Sequence, residues 1–163
     1  MPVDPEWQQK WPHLREDDFR ETSPESGLYN CIAWAAGITE RWWWPSEFSY
    51  WPRGVPRAVT LDAFAQAYGS LGFERCADSN LEEGFEKVAV YADEFHKPQH
   101  AARQLPDGRW TSKLGQGVDI EHANLTCLEG ASYGRVALVL RRRHRRQAEE
   151  ASHSDQTSHS STV

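Results

Sequence analysis

Three residues of this chain have the types and order of an acyl-transfer site: Cys31, His100 and Asp119. A cysteine attacks a carbonyl as its thiolate, and both a helix N-terminus and a nearby imidazolium lower the thiol pKa. Cys31 opens the apolar run Ile32-Ala33-Trp34-Ala35-Ala36, which stops at Gly37. The pattern predicts a short helix over 29–37, with the thiol in its first turn and Gly37 at the C′ position. Peptide N–H groups of that turn lack intrahelical partners, so they would hold the oxyanion of a tetrahedral intermediate. Asn30 would either add an amide donor to that hole or cap the helix.

The base has to come from elsewhere in the chain. His100 begins the run "HAARQL", and strand alternation puts His100, Ala102 and Gln104 on one face. Small Ala102 beside the imidazole would leave room for a substrate chain. Asp119 follows after one further strand, where it could accept the other imidazole N–H and fix the tautomer. Glu121 and His122 are the alternates for that third role. His13 lies in an N-terminal arm, His96 in a polar turn, and His144, His153 and His159 near the C-terminus, so they fit less well.

"NCIAWA" opening a helix, "HAARQL" starting a strand and a polar residue after the next strand resemble the papain-like cysteine hydrolases, the NlpC/P60-type branch in particular. More narrowly, "YNCIAWAAG", "WWWP", "GFEKVAVYA", "HAARQL" and "WTSKLG…DIEH" are similar to a little-characterised bacterial domain family with no established substrate. The similarity spans roughly residues 25–142. The resemblance implies Cys31 as nucleophile, His100 as base and Asp119 as orienting acid. A papain-type oxyanion glutamine would stand six positions before the nucleophile, and this chain has Glu25 there.

The elements that must position these groups read as α+β, papain-like, with N-terminal helices packed on a small antiparallel sheet. Residues 1–24 read as an irregular arm pinned by Trp7 and Trp11, residues 25–145 as the papain-like domain, and 146–163 as a disordered tail without large apolar residues. Thr60 caps a helix over 61–71 that carries Leu61, Phe64, Ala65, Tyr68 and Leu71 at helical spacing and closes at Gly72. Residues 85–93 form a strand. Residues 99–115 form a hairpin around Pro106-Asp107-Gly108. Asp119 caps a short helix over 120–125, and 133–143 closes the sheet with Val136, Leu138 and Leu140 on one face.

The loop over 42–51 holds Trp42, Trp43, Trp44 and Trp51 within or beside it. It reads equally as a cover over the core and as one wall of a substrate groove. Ser112 and Lys113 of "WTSKLG" read as strand residues, the lysine exposed and guarding an edge. The basic run "RRRHRR" at 141–146 reads as a solvated charge run.

A net charge of −6 argues against a broad nucleic-acid-binding face. No apolar run approaches the ~20 residues of a membrane span. Three widely spaced cysteines without a C-x-x-C pair suggest free thiols in a reducing compartment. A cytoplasmic location is expected, unless export uses a signal the sequence does not display. No metal-ligand spacing occurs, so neither a metal nor a cofactor is expected. The expected activity is a thiol hydrolase or acyltransferase on an amide, peptide or isopeptide of a peptide or protein substrate. Transfer and deamidation use the same chemistry. The alternative is a non-catalytic peptide- or protein-binding module that uses the Trp-rich groove.

Overall fold

The computed structural model describes residues 3–114 and 117–144. Its element order is α1 (Pro5–Lys10), β1 (Phe19–Ser23), α2 (Cys31–Ala35), α3 (Leu61–Gly69), β2 (Glu74–Arg75), β3 (Phe85–Ala92), β4 (Pro98–Gln104), β5 (Trp110–Lys113), β6 (Asp119–His122) and β7 (Arg135–Arg143). Single 3-10 turns occupy Glu16–Asp18 and Leu125–Leu128. The strands form one sheet in the order β1-β6-β5-β4-β3-β7-β2, and every pairing is antiparallel.

Local chemistry explains the most regular parts. The β4–β5 hairpin turns where expected: Gly108 takes a positive φ of 92°, and Asp107 accepts the Arg109 N–H at 2.9 Å. Thr60 caps α3 through Ala63 N–H at 3.1 Å. At the end of α2, Gly37 adopts φ 80°, with Gly37 N–H bonded to Trp34 O and Ile38 N–H to Ala33 O. That pair of bonds is the Schellman arrangement.

Two apolar cores lie on opposite faces of the sheet. On one face α2, α3 and the tryptophan loop pack over Val88, Val90, Ala101, Leu138 and Leu140. On the other, Val3, Trp11 and Leu14 cover Ala89, Tyr91, Ala102, Trp110 and Ile120. We call these the α2 face and the arm face.

Several expectations need correction. Of the segment 1–24, expected as an irregular arm, the described residues 3–24 are structured: Asp4 caps α1 through Glu6 N–H, and β1 joins the sheet beside β6. The chain needs this segment because a sheet with apolar residues on both faces must cover both. Asp119 does not cap a helix. It begins β6, and the 3-10 turn after it is capped by Asn124, which accepts Cys127 N–H at 3.0 Å. In β7, Leu138 and Leu140 face α3, but Val136 packs with the arm face. Val90 pairs with Leu138 and Tyr91 with Val136, so Ala137 is an extra residue that reverses the alternation. The expected tail, 146–163, lies outside the described residues.

Candidate functional site around Cys31

Cys31 is the first residue of α2, half-buried, and the N-cap before it is Asn30. The Asn30 side chain has a structural role. Its Oδ1 accepts Ala33 N–H and Trp43 N–H, each at 3.1 Å, and its Nδ2 donates to Trp43 O at 2.7 Å. It therefore caps the helix and fastens the tryptophan loop, with one of its two Nδ2 hydrogens committed to Trp43 O.

The strand facing α2 presents Ala101 and Arg103, not His100. The Ala101 N–H is directed at the Cys31 sulfur, and Arg103 lies over the Trp34 ring at 5.3 Å. Strand alternation therefore sends His100 to the arm face. There it is fully buried, stacked on Tyr133 at 4.0 Å with an interplanar angle of 7°, and edge-on to Tyr91. Gly134 makes this stack reachable: at φ 77° its backbone comes so close to Ala92 that an added Cβ would sit 1.9 Å from Ala92 O. The pairing of Cys31 with His100 is thus corrected. Expected to share a face, they lie on opposite sides of the sheet.

His122 shares the arm face with His100. It meets Ser112 Oγ through Nε2 at 2.8 Å and Asn124 O through Nδ1 at 2.8 Å. Because a carbonyl only accepts, Nδ1 carries the proton and Ser112 donates to Nε2. Burial pushes His122 down to about 4, and burial followed by the neighbouring His122 pushes His100 well below the ordinary histidine range. Both are neutral imidazoles at neutral pH. His122 supports the arm-face core and not Cys31. Glu121 is on the α2 face but is taken by Arg20 at 2.9 Å near the sheet edge.

Asp119 does belong to the Cys31 side. Its Oδ2 accepts a hydrogen bond from the Tyr29 hydroxyl, and Asp119 is the register partner of Lys113. Lys113 is the residue that sequence reasoning misassigned. It was expected as an exposed guard of a sheet edge, yet β5 lies inside the sheet and Lys113 is 0 % exposed. Its ammonium donates to Gly117 O at 2.6 Å and lies 4.8 Å from the Tyr29 ring centre. Tyr29 in turn stacks on Trp34 at 5.4 Å. The only sequence signal for this cluster was that Lys113 and Asp119 stand six positions apart.

Electrostatics at the thiol are mixed. Burial pushes Cys31 up to about 11, against the N–H groups of Ala101, Ile32 and Cys31 itself and the charge of Lys113, which pull it down. Burial also lowers Lys113, opposed by the charges of Asp119, Cys31 and Glu25. The N–H groups pull harder on the thiol than the Lys113 charge does, and burial outweighs both.

The tryptophan loop divides. Trp43 and Trp51 are core residues at 2 % and 3 % exposure, Trp51 tilted against Phe64 and Trp43 stacked near Tyr68. Trp44 is half-buried, edge-on to Phe64, and Trp42 is half-buried with its indole N–H on Gly27 O. Trp43 and Trp51 are therefore not groove walls, because their rings are consumed in packing α3. Cys76 bonds weakly to Asp78 O, and Cys127 lies against Asn124. Arg141 and Arg142 of the basic run are ion-paired with Glu74, Glu82 and Glu86.

Fold and site together define an α+β domain in which a cysteine-bearing helix docks on a seven-stranded antiparallel sheet beside a buried Lys–Asp–Tyr cluster. The chain belongs to the DUF7689 family, a domain of unknown function, whose model matches residues 20–141. No curated protein and no solved structure matches the chain. Among the described residues no group of three or more His, Cys, Asp or Glu could hold a metal ion, and no helix is long and apolar enough to cross a membrane.

Proposed function

We propose that this domain is a papain-like thiol hydrolase or acyltransferase acting on an amide of a peptide or protein, with Cys31 as nucleophile and Lys113 as its proton partner. The observation that carries the reading is the fully buried Lys113 on the α2 face, whose charge lowers the Cys31 pKa, while His100 and His122 lie on the opposite face of the sheet. The papain-like element is the cysteine at the start of a helix docked on an antiparallel sheet; the base differs.

In this reading the reacting form holds Cys31 as a thiolate beside the Lys113 ammonium. The thiolate attacks the carbonyl carbon, and the ammonium gives a proton to the departing nitrogen as the C–N bond breaks. Water then cleaves the thioester, its proton returning to the Lys113 amine, which releases the acid and restores the thiolate. Asp119, held by Tyr29, keeps the lysine charge compensated.

The test is labelling of the native chain with an electrophilic amide probe, followed by mapping of the modified cysteine. Cys31 should react ahead of Cys76 and Cys127. Lys113→Met should slow it at least tenfold, and His100→Ala should leave it within threefold, each variant being checked by its thermal melt. Equal, sluggish reaction at all three thiols would sink the proposal.

The second reading is a non-catalytic binding module. It is favoured by the same thiol held near 11, since a thiol so seldom ionised at neutral pH is a poor nucleophile. It predicts that folded Cys31 reacts more slowly than the cysteines of the unfolded chain.

A further inference from the structure

The segment that leads into α2 borders the thiol site and leaves one large apolar side chain in water. Leu28 is 69 % exposed, while Tyr29 and Asn30 after it are buried. Chain connectivity keeps Leu28 close to the nucleophile: three Cα–Cα steps of about 3.8 Å hold it within about 11 Å of Cys31. Upstream in the same run, the charge of Glu25 acts on Lys113, so residues 25–28 border both Cys31 and its proton partner. Trp42 meets the run from the tryptophan loop, its indole N–H on Gly27 O at 2.6 Å. A Cβ added at Gly27 would meet nothing within 4 Å, so the space over Gly27, beside Leu28 and Trp42, is open. Resting on the thiol reading above, we propose that Gly27, Leu28 and Trp42 form a subsite for a large apolar side chain of the substrate, of leucine or phenylalanine size, within three residues of the attacked amide.

The hydrogen bonds inside the subsite select an apolar ligand. Trp42 spends its single indole N–H on Gly27 O, and Leu28 spends its amide N–H on Ser26 Oγ at 3.2 Å. What remains for a ligand is the Leu28 isobutyl group and the half-buried indole ring. A charged side chain laid there gives up water and receives neither donor, which disfavours it. An apolar side chain gains by leaving water, and burial of one such group is worth about tenfold or more in binding.

Size selects the occupant. A stable protein–protein interface buries about 800 Å² on each partner. One exposed leucine and one half-buried tryptophan offer far less, about the contact area of a single large side chain, roughly 150–250 Å². A second folded copy is not held by so small a patch. A peptide whose amide is engaged at Cys31 needs only to lay down one neighbouring side chain. An extended peptide advances about 3.3 Å per residue, so the side chains within three positions of the amide cover the distance to Leu28.

Electrophilic peptides test this on the full chain. Chloroacetyl peptides and peptidyl chloromethyl ketones place residues on either side of the electrophilic carbon. Each is glycine throughout except for one phenylalanine, alanine or aspartate at the first, second or third position. At one of these positions Cys31 alkylation, mapped by mass spectrometry, should be at least tenfold faster for phenylalanine than for alanine. Aspartate should be no faster than alanine, and the phenylalanine-to-alanine ratio at Cys76 should stay below threefold. In Gly27→Val, whose side chain fills the open space, and in Leu28→Ser, the ratio at Cys31 should fall below threefold, with each melt checked against the parent chain. A ratio near one at every position, while Cys31 still reacts, overturns the subsite and leaves the thiol reading standing. A preference for aspartate, an equal ratio at Cys76, or a phenylalanine preference that persists in either folded variant also overturns it. Failure of Cys31 to react with any probe removes the thiol reading and the subsite together.

Discussion

The two faces of the central sheet use adjacent residues of the same strands for opposite ends. On the α2 face, Ala101, Lys113 and Asp119 meet Cys31 and Tyr29, leaving a half-buried thiol, a buried cation and a carboxylate oxygen without a donor. On the arm face, Ser112 and His122 are paired, His122 is also bonded to Asn124 O, and His100 is sandwiched among aromatic rings. The arm face contains the residues that look most catalytic in isolation, a serine donating to an oriented histidine. Yet Val3, Trp11 and Leu14 seal it, and both its histidines are held neutral by burial. Residue type and hydrogen-bond geometry alone do not make a site. Access and unsatisfied polar capacity separate the two faces.

The contrast can be broken most forcefully at Trp11, the seal of the arm face, whose ring packs on Tyr133 at 5.4 Å. Trp11→Ala should lower unfolding free energy by about 3–5 kcal/mol, measured by urea titration, while Cys31 alkylation in the folded protein stays within threefold. A parallel rise in Cys31 reactivity would show that the faces are coupled.

Acid should strike the arm face next. The folded-state pKa values of His100 and His122 lie below the unfolded value near 6.5, so the unfolded chain binds more protons as pH falls. Stability is therefore fully present above about 6.5 and declines from there towards pH 4, at up to roughly 1.4 kcal/mol per pH unit per histidine. Urea midpoints from pH 7 to 4.5 check this. His122→Phe should flatten the slope, at some loss of stability because Ser112 loses its acceptor.

On the α2 face, Asn30→Ala removes a cap and the two bonds to Trp43. A loss of about 1–2 kcal/mol is expected, together with faster exchange of the Trp43 amide in hydrogen exchange. The last test concerns the thiol: with its pKa near 11, Cys31 alkylation should climb about tenfold per pH unit from 7 to 10 without a plateau. A plateau near neutrality would mean that the sulfur is far less desolvated than the structure indicates.

Much of the fold was legible because its signals are local. Thr60, Gly37 and Pro106-Asp107-Gly108 act within a few residues, and α3, the end of α2 and the β4–β5 turn form where those residues dictate. The segment after Asp119 was misread because its alternation is short, and β6 is stabilised by β1 and β5, which lie far away in sequence. The Val136 side followed from a bulge at Ala137 that no residue type announces. Lys113 was misread because lysines are seldom fully buried. Only the neighbouring strands, Tyr29 and Gly117 O make its burial tolerable.

By itself the sequence determined that His100, Ala102 and Gln104 share one face and that Cys31 begins a short helix, because a strand alternates with period two and helix ends are set by caps. It did not determine which face α2 would cover. That choice depends on how the arm and the α2–α3 segment divide two apolar faces between them, a long-range packing outcome. The tertiary structure decided it, setting Ala101 under Cys31, turning His100 away, and leaving Lys113, the register partner of Asp119, as the thiol's charged neighbour.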